Sequence, residues 1–277
     1  MQQADHPIGS SQQGTDNLTN TPVETSEVVR TFTAAWRHMS SQYPGNLQTQ
    51  DGVVCVSLSN TICPFFNMLT IDRPIADAGG LRSAITTARR YAEECPHDAM
   101  LLMCPEWLPD NTEEIVKDEA LEFSMSMWGM ATDKLAPPRR DPANLQMRVA
   151  LEEATGSDIG TINADAYEMP PELFSVTGNM YRWSGENFGI VGYDHGKAVS
   201  SALTYPLDDE IYVAMVATRR GLHGGGYAET VMRRAIEEAQ KKCGDGRLWL
   251  HATEAGRPLY TSMGFTLGSE MRLYSFA

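Results

Sequence analysis

The sequence predicts a mixed α/β (α+β) protein of two tandem domains around central mixed sheets. Three observations carry this reading. Segments of helical and of strand period alternate along the chain, and the alternation runs through twice. Between the two passes lies Leu135–Gln146 (LAPPRRDPANLQ), whose three prolines and paired arginines suit neither helix nor strand. A length of 277 residues also exceeds the ~100–200 typical of one domain. The expected divisions are a disordered tail over 1–24, an N-terminal domain over 25–136, a linker over 137–144 and a C-terminal domain over 145–277.

Residues Met1 to about Thr25 are rich in Gln, Ser, Thr, Asn and Gly, too polar to offset the entropy of ordering them. Behind Ser26, a candidate N-cap, Val28, Phe32, Ala35, Trp36 and Met39 follow helical spacing. Two β-rich runs come next, Gly52–Leu58 and Phe65–Ile71, split by a turn with Asn60 and Pro64. Leu81, Ala84, Ile85, Ala88, Tyr91, Ala92 and Cys95 make the apolar stripe of a helix that Pro96 stops. Ala99–Cys104 reads as a buried strand, Thr112–Lys117 as a short helix and Leu121–Met130 as an alternating strand. The first pass is therefore α-β-β-α-β-α-β.

In the second pass Leu145–Ala150 alternates, and Ser157 or Asp158 caps a helix. Glu186–Asp194 and Lys197–Tyr205 form a hairpin through His195-Gly196. Glu210–Ala217 is a strand that runs into a glycine-rich loop and a helix with Tyr227, Ala228, Val231, Ala235 and Ala239 inside, ended by Gly244. Arg247–His251, Glu254–Met263 and Phe265–Phe276 complete the pattern as strand, helix and strand. No repeat appears at the level of residues, so the duplication rests on element order alone.

Lys+Arg number 22 against 36 Asp+Glu, a net charge of −14. A generic phosphate-backbone binder concentrates positive charge, which excludes non-specific nucleic-acid binding. No apolar run approaches the ~20 residues of a membrane span. The first basic residue is Arg30, and Met1 opens no basic-then-apolar leader. The five scattered cysteines read as reduced thiols, and the expected compartment is cytoplasmic. Cys95, His97 and Cys104 lack paired metal-ligand spacing, so no metal is expected.

Chemistry concentrates at Val213–Ala228 (VAMVATRRGLHGGGYA). Glycine permits close backbone approach, and a helix start offers unpaired N–H groups with partial positive charge, which suits phosphate. A P-loop requires Lys-Ser/Thr where Tyr227-Ala228 stand, and a dinucleotide fingerprint requires glycine where Glu229 stands. The segment instead resembles the acyl-CoA loop of the GCN5-related N-acetyltransferase (GNAT) family, Gln/Arg-x-x-Gly-x-Gly/Ala. Here that motif becomes His223, Gly224, Gly225, Gly226, Tyr227 and Ala228, with His223 in place of Gln or Arg. Leu248–Phe265 is similar to the family's strand–helix–Tyr-x-x-x-Gly-Phe segment, with Tyr260 before Gly264-Phe265 and Thr253 where Asn is usual.

The resemblance covers about Leu145 to Ala277 and implies a GNAT-like acyl-CoA N-acyltransferase fold. It implies acetyl-CoA as co-substrate, with the backbone of Met215, Val216 and Ala217 on pantetheine and residues 223–228 on pyrophosphate. Arg219 and Arg220 would add charge nearby. It implies direct attack on the thioester by a primary amine of a small molecule or peptide, with Tyr260 as general acid to the CoA thiolate. Glu210, Asp209, Glu254, His251 and His195 are candidate bases, none of them assigned. The N-terminal half, whose nearest approach to a glycine loop is Asp77-Ala-Gly-Gly, is expected to be a degenerate copy walling the acceptor site. The rival reading is a non-enzymatic acyl-CoA-binding or regulatory protein that retains the cradle.

Overall fold

The computed structural model describes residues 21–179 and 187–277. Most of the expected tail, and Glu186 at the head of the expected hairpin, lie outside the described residues.

The first half runs α1 (Thr25–Ser41), β1 (Leu47–Asp51), β2 (Val54–Leu58), β3 (Asn67–Ile71), α2 (Ala78–Glu94), β4 (Met100–Met103), α3 (Thr112–Asp118) and β5 (Leu121–Thr132). The second runs β6 (Gln146–Val149), α4 (Glu153–Ala166), a 3₁₀ segment (Pro171–Gly178), β7 (Phe188–Asp194), β8 (Lys197–Leu207), β9 (Glu210–Thr218), α5 (Tyr227–Cys243), β10 (Arg247–Ala252), α6 (Arg257–Ser262) and β11 (Thr266–Phe276).

Local chemistry sets the boundaries, and several differ from the expected ones. α1 is started by a reciprocal capping box of Glu24 and Glu27, not by Ser26. α4 begins after Glu152, ahead of Ser157 and Asp158; the Asp158 carboxylate instead accepts the Tyr193 hydroxyl at 2.5 Å. α6 is confined to Arg257–Ser262. Strand β1, Leu-Gln-Thr-Gln-Asp, adds an element that polar composition concealed. It pairs with β2 across a turn at Gly52, whose φ of 59° favours glycine. The β7–β8 hairpin turns at His195 and Gly196 with both φ positive (47° and 80°), as its right-handed twist requires.

All eleven strands join one sheet in the order β1-β2-β3-β4-β11-β5-β10-β9-β8-β7-β6. The order is nearly palindromic about the β11–β5 pair. On each side an antiparallel run ends in a parallel pair joined by a 17-residue helix, β3-α2-β4 and β9-α5-β10. Each half then gives its last strand to the other: β11 lies between β4 and β5, and β5 between β11 and β10. Three apolar clusters fill the layers. α2 and α3 cover one face in the first half, and α5 and α6 cover one face in the second. On the other face α1 spans both halves beside α4 and the 3₁₀ segment, burying Phe32, Tyr205, Tyr212 and Trp249. Among the described residues no helix is long and apolar enough to cross a membrane.

Candidate active site

Strands β9 and β10 run parallel for only three pairs, Glu210–Tyr212 against Arg247–Trp249. Past Tyr212 they separate, and the backbone of β9 from Val213 onward has no ladder on that side. One cause is visible on its other edge. Ser201 pairs with Ala217 and Leu203 with Ala214, so Met215 and Val216 together oppose Ala202. This bulge puts Met215 at φ 49°, a left-handed conformation that costs a non-glycine residue roughly 1–2 kcal/mol. The Met215 carbonyl accepts from the Ser201 hydroxyl at 3.2 Å, which helps to hold the bend.

The splay opens into a cleft of about 600 Å³. Met215, Val216 and Ala217 line its β9 wall, and His223, Gly224, Gly226, Tyr227 and Ala228 line the end at α5. Gly225 lies between these loop residues but does not line the cleft. No side chain caps α5, and its N-cap, Gly226, sits at φ 80°. A Cβ there would be strained and also 3.2 Å from Arg140 Cδ. The first turn of α5 therefore presents its N–H groups to the cleft, with no side chain among the described residues capping them. The corresponding start of α2 is different: the Asp77 carboxylate accepts the Gly80 N–H at 2.8 Å, so this helix supplies its own anion.

The positive charge at the loop comes from the linker. Arg139 and Arg140 line the cleft, and Arg140 Nη1 donates to the Gly224 carbonyl at 2.7 Å. The linker is strapped to α5 by two further bonds, Ala143 N–H to Thr230 Oγ1 at 2.9 Å and Arg233 Nη2 to the Ala136 carbonyl at 2.8 Å. Arg219 and Arg220, expected here, point elsewhere. Arg219 donates to the Ala198 carbonyl, and Arg220 pairs with Asp165 and Glu168. His223 turns inward to the Thr218 carbonyl at 3.0 Å.

Tyr260 lines the cleft from α6, opposite β9, and is almost fully buried. Its ring stands edge-on to Phe265 and close over Gly256, where a Cβ would approach Tyr260 Cε2 to 2.9 Å. Burial, and secondarily the nearby Tyr167, push its phenol well above the ordinary range, so the hydroxyl keeps its proton. Of the candidate bases, only His251 reaches the cleft. Glu210 is held by Arg30 in a two-bond pair at 2.8 and 2.9 Å and by Trp249 Nε1. Glu254 pairs with Arg257 in solvent, and His195 sits on the exposed hairpin turn. His251 Nδ1 meets the Tyr212 hydroxyl at 2.8 Å, and burial lowers its pKa to about 3. Among the described residues no three His, Cys, Asp or Glu side chains converge as a metal site needs.

The profile of the acetyltransferase (GNAT) family matches residues 158–265. No curated protein matches the chain. Among solved structures, a GCN5-related N-acetyltransferase from Kribbella flavida aligns at a TM-score of 0.65 and 15% identity, covering 90% of this chain and 95% of its own. A GCN5-related N-acetyltransferase-like protein from Streptococcus suis aligns at 0.56 and 13%, covering 91% and 99%. A GCN5-related N-acetyltransferase from Sphaerobacter thermophilus aligns at 0.54 and 14%, covering 80% and 76%. At such identities the likeness is one of fold, and it extends over both halves.

Proposed function

We propose, from the match of residues 158–265 to the acetyltransferase (GNAT) family, that the protein transfers an acetyl group from acetyl-CoA to a primary amine. One observation carries the reading. A strand edge that leaves its β10 ladder at Tyr212, an uncapped helix start and an almost fully buried tyrosine meet in a single cleft.

The donor set fits the co-substrate. Past the end of the β10 ladder, the β9 backbone around Val216 and Ala217, with Met215 beside it, lies along the cleft where it would run beside the amides of pantetheine, as a neighbouring strand does. The N–H groups of Tyr227 and Ala228, with Arg139 and Arg140, meet the pyrophosphate. Bound acetyl-CoA supplies an activated thioester. The bulge at Met215 aims the strand edge at the splay. Tyr260 holds a proton on the α5–α6 side and delivers it to the departing sulfur. Its raised pKa keeps the proton in place until negative charge develops on that sulfur. On this reading the first half is a second copy of the fold whose anion cradle is filled by Asp77.

The test is Tyr260→Phe with free thiol followed across an amine panel, alongside calorimetry of acetyl-CoA. We expect kcat to fall by about 10²-fold or more with the acetyl-CoA Kd unchanged. An unchanged kcat removes the role of Tyr260. Binding without thiol release from any amine favours the non-enzymatic reading, and absence of binding removes both.

A further inference from the structure

The cleft continues through the splay to the opposite face of the sheet. There a second cavity of about 140 Å³ shares Tyr167, Met215, His251 and Thr253 with the first. Its far wall belongs to the first half: Trp36 of α1, Phe65 and Phe66 ahead of β3, and Met125 and Met127 of β5. Among the described residues no Asp, Glu, Lys or Arg lines it. The wall is fixed in place. Trp36 stacks on Phe32 with ring centroids 3.9 Å apart and donates Nε1–H to the Phe65 carbonyl at 2.6 Å.

Three properties define the occupant. An apolar cavity of ~150 Å³ holds a benzene ring, so this one accepts a single compact ring. A polyamine or basic peptide would bring a second cation into a space with no carboxylate among its described lining to meet it. The molecule's net charge of −14 is not focused here. The third property is position. Tyr260 belongs to the cluster on the α5–α6 face, whereas Trp36, Phe65 and Phe66 pack on the α1 face. The leaving sulfur and the entering nucleophile thus come from opposite sides of the splay.

Resting on the acetyl-CoA reading above, we propose that this cavity binds the acceptor, a primary amine bearing one compact aryl group, with the ring held by the first half and the nitrogen at the splay. The nitrogen forms the new bond to the acyl carbon as the carbon–sulfur bond breaks. The sulfur takes its electron pair and the proton of Tyr260, and the proton lost from nitrogen passes to water, from which Tyr260 is reprotonated. His251 is held neutral and Tyr212 keeps its proton, so neither puts a negative charge beside the nitrogen to hold it as an ammonium ion. The amine gives that proton to bulk solvent on entry and reacts as its free base.

The experiment compares phenethylamine with putrescine on the full chain with saturating acetyl-CoA, and hexanoyl-CoA with acetyl-CoA. We expect phenethylamine to exceed putrescine in kcat/KM by about tenfold or more. Met127→Glu should remove that preference while the acetyl-CoA Kd holds. Should Met127→Glu fail to fold, Met127→Ala enlarges the cavity and shifts preference toward naphthylethylamine. Equal or better use of putrescine with acetyl-CoA bound overturns the proposal. So does a preference for hexanoyl-CoA that Met127→Glu abolishes, which would make the cavity an acyl pocket. Failure of acetyl-CoA to bind removes the cofactor reading instead, and this proposal with it.

Discussion

Burial inverts the ordinary behaviour of His251. In the folded chain its pKa is about 3, against 6.5 for the free side chain, because the ring lies among Phe32, Tyr212 and the α1 backbone. Between those values the unfolded chain holds the extra proton, so the stability that neutral His251 permits is complete above about pH 6.5 and is lost as pH falls toward 3. The expected slope is about 1.4 kcal/mol per pH unit within that window. In His251→Gln, urea titrations from pH 6.5 to 4 should show that slope reduced by a similar amount. The residues of the α5 loop were legible in the sequence because a left-handed backbone at Gly224 and Gly226 leaves glycine as its trace. Arg139 and Arg140 were not. A charge brought in by a proline-rich connector leaves no local pattern, and Arg219 and Arg220 stood nearer along the chain.

At the scale of elements, connectors and edges did more than composition suggests. The stretch 137–144 reads as a spacer, yet its bonds to Gly224 and Thr230, with that of Ala136 to Arg233, clamp the first turn of α5. Arg140→Ala should raise the acetyl-CoA Kd by about tenfold while changing the melting temperature little, and the increase should shrink at high salt, as calorimetry at two ionic strengths would record. β1 was missed because an edge strand of Gln, Thr and Asp lacks the apolar alternation by which strands are found. The strands and connecting helices of β3-α2-β4 and β9-α5-β10 were legible because each has an apolar strand ahead of an amphipathic helix.

For the whole molecule, element order signalled duplication, but strand order is set by contacts far apart in sequence, and no local pattern encodes the exchange of β5 and β11. The exchange has a direct consequence for fragments. Residues 145–277 alone would leave β10 and β11 without β5 between them, and residues 1–136 would leave β4 and β5 without β11. Each fragment expressed alone should show little cooperative thermal unfolding by circular dichroism, and mixing the two should restore one transition. Two independent transitions of the separate pieces would show that each sheet closes without its partner's strand.

The exchange also sets when the sheet can close as the chain is made. The first half leaves the ribosome with the edges of β4 and β5 facing a gap, and β11, the strand that fills it, is translated only after β6 to β10. At ~5–20 residues per second the gap stays open for on the order of ten seconds. Through that interval the nascent chain carries two exposed edges able to capture a neighbour on the same polysome. Glu122, exposed and the one charged residue along β5, is placed where it would oppose such capture.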